Sequence, residues 1–77
     1  MTQSVAIVTG SNGKTGQAIL SALSEAGYQV VGLDVGHEGL GGYAYRRCDV
    51  TRHDDIIAAV AAVEEEFGTI RVLVNNA

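Results

Sequence analysis

The sequence predicts an α/β fold in which helices wind around a parallel sheet. Three observations carry that prediction. Short apolar runs do not alternate with polar residues, a glycine-rich turn follows the first of them, and helically spaced apolar residues fill two of the stretches between.

Taken in order, Val5–Thr9 (VAIVT) is a continuous apolar run, as a strand covered on both faces should be. The stretch Thr9–Gly16 (TGSNGKTG) is a glycine-rich turn. Gly16–Gly27 (GQAILSALSEAG) places Ile19, Leu20 and Leu23 at helical spacing, and Gly27 is a fitting stop. Tyr28–Asp34 (YQVVGLD) reads as a second buried strand. Val35–Gly42 holds four glycines in eight residues and reads as a loop. Tyr43–Asp49 (YAYRRCD) is a third, less apolar strand. Thr51 is the expected N-cap of a second helix, with Asp54 in the place a capping box gives to Glu. Ile56, Val60, Val63 and Phe67 would form its core-facing stripe, and Glu64, Glu65 and Glu66 a solvated end. Ile70–Ala77 (IRVLVNNA) is a fourth strand, apolar enough to be central in a sheet.

This order implies parallel strands joined by right-handed crossovers. The link from Asp34 to about Ala44 is shorter than the dozen or so residues a parallel crossover normally takes, so any helix there is very short or absent. Seventy-seven residues make one small domain or part of a larger one, and no repeat or linker divides them.

Composition excludes several classes. The net charge is −4, and the five basic residues (Lys14, Arg46, Arg47, Arg52 and Arg71) are scattered, so nucleic acid is not an expected partner. No run reaches the ~18 apolar residues of a membrane span. The N-terminus lacks the basic region of a signal peptide, and a cytoplasmic location is expected. Cys48 is the only cysteine and is expected to be a small core residue. The histidines, His37 and His53, have no metal-site spacing with it, and no metal ligands are predicted.

A strand, a glycine turn and a helix present free backbone N–H groups and a positive dipole end to an anion. Gly10 would make the tight turn, Gly13 would let a pyrophosphate approach, and Gly16 would let helix pack on strand. The same pattern also fits a plain strand-to-helix turn. A third reading is ATP, because Gly13, Lys14 and Thr15 match the end of a P-loop. That motif needs four residues between its glycines, whereas Gly10 and Gly13 have two between them; the stretch also resembles the loop of peptidoglycan-precursor amide-bond ligases. The rest of the chain favours a dinucleotide. Asp34 ends the second strand 18 residues beyond Gly16, where an acid can accept both hydroxyls of an adenosine ribose. Asp49 ends the third strand, on the rim that lines the ligand crevice of such sheets.

Together, TGSNGKTG, the Leu33–Asp34 pair, CDVT at 48–51 and VLVNNA at 72–77 resemble the N-terminal part of a short-chain dehydrogenase/reductase. The likeness covers the whole chain. The glycine spacing TGxxGxxG is similar to the extended and atypical branches, whereas NNA is more typical of the main branch. The resemblance implies a Rossmann-like doubly wound parallel sheet, with these residues as its N-terminal cofactor-binding portion, truncated after Ala77. It implies that Ser11, Asn12, Lys14 and Thr15 line the pyrophosphate and adenosine ribose with Gly10, Gly13 and Gly16. Asp34 would bind that ribose and favour NAD over NADP. Asp49 and Val50 would bracket the adenine. Asn75, Asn76 and Ala77 would lie beside the cofactor ribose, and Asn75 would help tie the central strands together.

The family's catalytic Tyr-x-x-x-Lys is absent from these residues: the single lysine is Lys14, and neither Tyr28, Tyr43 nor Tyr45 has a lysine four positions on. The resemblance therefore implies a parent oxidoreductase acting on a carbonyl or alcohol, expected to be a homo-oligomer, with no catalytic residue in this stretch and no turnover by it alone. A non-catalytic dinucleotide sensor of the atypical branch is the alternative.

Overall fold

The computed structural model describes residues 3–77. Its elements are β1 (Val5–Thr9), α1 (Lys14–Glu25), β2 (Gln29–Asp34), β3 (Ala44–Arg47), α2 (His53–Phe67) and β4 (Ile70–Val74). The four strands form one parallel sheet in the order β3-β2-β1-β4.

Strand β1 pairs on both sides, which accounts for its unbroken apolar run: every residue of VAIVT is buried. Ala6 and Val8 pack with Val30 and with Leu20 of α1 on one face. Val5 and Ile7 pack on the other with Val31, Leu33, Cys48 and the α2 residues Ala59 and Val63. Each helix thus covers one face, the doubly wound arrangement. Burying a side chain the size of Leu20 contributes ~1.5–3 kcal/mol. After β3 the chain returns through α2 and enters on the far side of β1, so the strand order reverses between β1 and β4. The carboxyl ends of those two strands flank the crevice where ligands bind in such sheets.

Helix α1 closes at Gly27, whose φ is 99°. Gly27 N donates to Ser24 O and Tyr28 N to Leu23 O, both at 3.1 Å, the paired bonds of a Schellman closure. The start of α2 differs from the sequence expectation. Helix α2 begins at His53 behind Arg52, and no side chain caps it. Thr51 Oγ1 donates to Asp49 Oδ1 at 2.6 Å instead, a local turn that competes with capping. Asp54 and Asp55 still occupy the first turn, where the helix dipole favours them.

The core-facing stripe of α2 is the expected one, with Ala59 added to it. Ala59 and Val63 are its buried residues, Phe67 packs against the core, and Ile56 is 36% exposed. The helix packs on β3, and Ile56 and Val60 line an apolar hollow with Ile7, Leu33, Cys48 and Leu73 of β4. Strand β3 is shorter than expected, and Cys48 is buried just beyond it.

Among the described residues β4 is the outer strand, beside β1. Val5 pairs with Ile70 and Ala6 with Val72, which leaves Arg71 as an extra residue in the ladder. Leu73, opposite Ile7, is 62% exposed. Residues 35–42 contain no helix.

Candidate functional site

The glycine turn is built by two close approaches. Gly10 has φ 64°, and a Cβ on it would lie 3.1 Å from Ala77 Cα and Asn76 Nδ2. A Cβ on Gly16 would overlap the Gly10 carbonyl oxygen and come 2.7 Å from Ser11 Cα, so α1 can begin this close to the turn only with glycine there. The first intrahelical bond is Gln17 N to Gly13 O at 2.9 Å. The N–H groups of Lys14, Thr15 and Gly16 come before it and have no carbonyl partner. No acid lies in this first turn, so the positive end of the dipole is uncompensated. Gly13 is exposed, as are Lys14 and Thr15. Unpartnered N–H groups at a helix start are the arrangement that can seat an anion.

Ser11, expected to line the site, instead shapes the turn from within. Its side chain is 1% exposed, and its hydroxyl makes no hydrogen bond. The hydroxyl occupies the space over Gly32, where a Cβ would come within 2.5 Å of it. Ser11 N donates to Leu33 O and Ser11 O accepts from Gln17 Nε2, which binds the turn to β2 and α1.

Asp34 joins the turn to the end of β2. Its Oδ2 accepts from Asn12 N at 2.9 Å and its Oδ1 from Val35 N at 2.8 Å. The Asn12 side chain reaches across loop 35–42, donating to Glu38 O and accepting from Leu40 N, both at 3.0 Å. Gln17 Nε2 also reaches Leu40 O. Tyr45 Oη donates to Gly36 O at 2.6 Å, and Arg47 Nε to Val35 O at 3.0 Å. Burial first, then the Asp34 carboxylate, raises the Tyr45 hydroxyl above its ordinary pKa. Loop 35–42 is therefore tied to the glycine turn and to β3. Gln17, Tyr45 and Arg47 escape a sequence reading because their partners lie far along the chain; the one available signal for Tyr45 and Arg47 is strand parity, which puts them on one face of β3.

Asp49 Oδ1 accepts from both Thr51 N and Thr51 Oγ1, and these bonds hold its carboxyl below the usual range. Asp49 N donates to Asp55 Oδ2 at 3.2 Å, which positions the 48–51 corner over α2. Val50 is half-buried against the α2-side core.

Across the crevice, Thr9 holds the end of β4. Its Oγ1 accepts from Asn76 N at 2.9 Å and Ala77 N at 3.1 Å. The Thr9 hydroxyl hydrogen has Asn75 Oδ1 at 3.3 Å and Val74 O at 3.4 Å within reach. Asn76 Nδ2 donates to Gly10 O at 3.2 Å. The structure thus brings residues 75–77 against the glycine turn. Thr9 is the second kind of residue that sequence reasoning misses: it reads simply as the last residue of a strand.

Cys48 is buried, and burial first, then Asp55 and Asp49, pushes its thiol upward, away from the thiolate form that reacts. Tyr28 and Tyr43 pack against the α1-side core. Among the described residues no cluster of His, Cys, Asp and Glu can hold a metal, and no helix is long and apolar enough to cross a membrane.

A parallel sheet whose strand order reverses beside a glycine turn, with a helix on each face, is a Rossmann-type domain. Among such domains its kinship is specific. The family model for short chain dehydrogenase matches residues 4–77, and the chain belongs to that family. The 2-(R)-hydroxypropyl-CoM dehydrogenase of Xanthobacter autotrophicus is 41% identical over 85 residues, covering 95% of this chain and 34% of that protein. Acetoacetyl-CoA reductase of Paracoccus denitrificans is 40% identical over 80 residues, covering 95% and 33%. The ligand-free aldohexose dehydrogenase of Thermoplasma acidophilum superposes with a TM-score of 0.89 at 37% identity, over 99% of this chain and 30% of that one. An actinorhodin polyketide ketoreductase with NADPH superposes at 0.90 and 36% identity, over all of this chain and 35% of that one. The chain thus spans about a third of the length of these relatives. Family membership removes the amide-bond ligase reading of the glycine loop.

Proposed function

We propose that these residues are the dinucleotide-binding portion of an oxidoreductase that moves hydride between a nicotinamide cofactor and a carbonyl or alcohol carbon. The observation that carries this reading is the set of partnerless N–H groups at Lys14, Thr15 and Gly16, beside the strand reversal and one strand away from the Asp34 carboxylate. In this reading those N–H groups hold the pyrophosphate, and exposed Gly13 lets it approach. Asp34 keeps a lone pair on each oxygen for the adenosine ribose hydroxyls while Asn12 N and Val35 N hold it in place. Asp49 and Val50 bracket the adenine, with Asp49 Oδ2 left as acceptor. Asn75, Asn76 and Ala77, held by Thr9, line the ribose nearer the nicotinamide. Ser11 serves by fixing the turn to β2 and α1, and Asn12 through the loop it holds. The bound nicotinamide supplies the hydride chemistry, and the protein supplies position and electrostatics. The substrate-facing acid and base would belong to a longer product, which we take to be a cytoplasmic homo-oligomer; residues 1–77 would be only its first portion.

The test is calorimetry on the full gene product with NAD⁺, NADP⁺ and Mg-ATP. NAD⁺ is expected to bind more tightly than NADP⁺, because a 2′-phosphate removes one donor to Asp34 and adds a like charge beside it. Losing a hydrogen bond to a charged acceptor costs about 1.5–3 kcal/mol. Asp34→Ala should narrow the preference by roughly tenfold or more, at ~1.4 kcal/mol per decade. Binding of Mg-ATP with no binding of either dinucleotide would refute the reading.

A further inference from the structure

We propose that Arg47 is the receiver of a 2′-phosphate, so that the site also accepts NADP(H) and its preference for NAD is shallow. This rests on the dinucleotide reading above and concerns which cation answers Asp34.

The argument begins with strand parity. Val30 faces α1, and Val31 and Leu33 face the α2-side core, so Asp34 returns to the α1 face. On β3, Tyr43 packs on the α1-side core and Ala44 on the α2-side core, so Tyr45 and Arg47 share the α1 face with Asp34. Arg46, on the opposite face, lies 3.9 Å from Glu66 of α2. The ladder then sets Arg47 directly opposite Asp34. Paired positions on neighbouring strands put their Cβ atoms ~4.5–5.5 Å apart. The two neighbouring arginines are thus sorted by the sheet: one is turned to a helix, the other to the adenosine side.

The guanidinium of Arg47 is both anchored and open. Its Nε donates to Val35 O at 3.0 Å, and Val35 N is bound by Asp34 Oδ1. Its two terminal nitrogens make no hydrogen bond or ion pair among the described residues, and the side chain is exposed. A guanidinium held by Nε with its terminal N–H groups free presents the fork that matches a phosphate.

Direction decides between Arg47 and Lys14. The anion seat lies at the end of β1, the ribose carboxylate at the end of β2 and Arg47 at the end of β3, in that spatial order. A cofactor with its pyrophosphate on the seat and its ribose on Asp34 carries the 2′-substituent onward toward β3. Lys14 is behind it, at the first position of α1. Arg47 can accept the 2′-phosphate while Asp34 still disfavours it, and the balance of the two sets the preference.

The experiment uses adenosine probes that omit the nicotinamide half. Dissociation constants of 2′,5′-ADP and 5′-AMP are measured on the full gene product for wild type, Arg47→Ala, Arg47→Lys, Lys14→Ala, Asp34→Asn and Asp34→Asn/Arg47→Ala. Arg47→Ala should weaken 2′,5′-ADP about tenfold and leave 5′-AMP within about twofold, with the loss shrinking at high salt. Arg47→Lys keeps the charge but loses the Nε anchor and the fork, and should fall between wild type and Arg47→Ala for 2′,5′-ADP while leaving 5′-AMP unchanged. Asp34→Asn should make 2′,5′-ADP the tighter ligand by about tenfold, and adding Arg47→Ala should remove that advantage. Equal losses of both probes in Arg47→Ala would show a loop anchor only and overturn the proposal. A 2′,5′-ADP loss confined to Lys14→Ala would overturn it in favour of Lys14. Wild type that binds neither probe would refute the dinucleotide reading itself, before any variant is compared.

Discussion

Two flanks of the same sheet contrast sharply. On the β1–β2–β3 side, the glycine turn, Asp34 and loop 35–42 are joined by side-chain hydrogen bonds from Asn12, Gln17, Tyr45 and Arg47. On the β4–α2 side, Leu73 is 62% and Ile57 55% exposed, and β4 offers an open edge. Both flanks derive from apolar sequence. What separates them is how many partners reach each one. The first is fastened by residues up to 28 positions apart in the chain, so side-chain hydrogen bonds fix its geometry. The second places apolar side chains where water meets them, so its energetics depend on whatever covers it.

Leucine at two addresses gives the largest expected difference. Leu20→Ala removes a buried side chain between α1 and the sheet and should cost ~2–5 kcal/mol in urea unfolding. Leu73→Ala in the 77-residue chain should change stability by less than ~0.5 kcal/mol, as for an exposed position. If the two costs matched, Leu73 would be buried by a partner and the contrast would be broken.

Next in size, Thr9→Val removes the acceptor for Asn76 N and Ala77 N. Unpairing such groups should cost about 1–3 kcal/mol and free the end of β4. Amide hydrogen exchange at Asn76 and Ala77 should quicken, while exchange in loop 35–42 stays as it is. Faster exchange in both places would mean that the two flanks are not independent.

The open edge of β4 should make the 77-residue chain self-associate, because an unpaired apolar strand is a template for another. Sedimentation velocity across a concentration series should show growth that Leu73→Lys suppresses. A concentration-independent monomer with one sharp thermal transition would remove the contrast between edge and core.

The smallest effect concerns pH. The Asp49 carboxyl is held low by its bonds from Thr51, so its contribution to stability is present above the unfolded carboxylate value and is lost as pH falls through its folded value. Thr51→Val removes the Oγ1 donor and keeps the backbone one. NMR titration should show the Asp49 midpoint move upward, and the stability gap to wild type should close in acid. An unmoved midpoint would return the shift to the backbone bond alone.

Much of the fold was legible because it rests on short-range pattern. Uninterrupted apolar runs forecast strands buried on both faces, and Gly27 marks the end of α1 because a Schellman closure needs a left-handed residue there. The glycine turn leading into α1 was legible for the same reason: a turn and the next helix start are adjacent in sequence. The cap of α2 was not, because Thr51 has two acceptable uses and Asp49 claimed it. Ile56 lies on the stripe that helical period forecast, in the same hollow as Val60, yet stays 36% exposed, because period identifies a face but not how far along it the sheet covers the helix.

The sequence by itself determined which segments are strands and helices, where the backbone must turn, and that an acid ends the second strand. Only the tertiary structure decided that Arg46 meets Glu66 and Arg47 meets Val35 O, that Ser11 turns its hydroxyl onto Gly32, and that Thr9 clasps residues 65 or more positions away. The physical reason is range. Propensity and period act over a few residues, whereas register, strand order and side-chain clasps are set by contacts whose partners the chain does not place side by side.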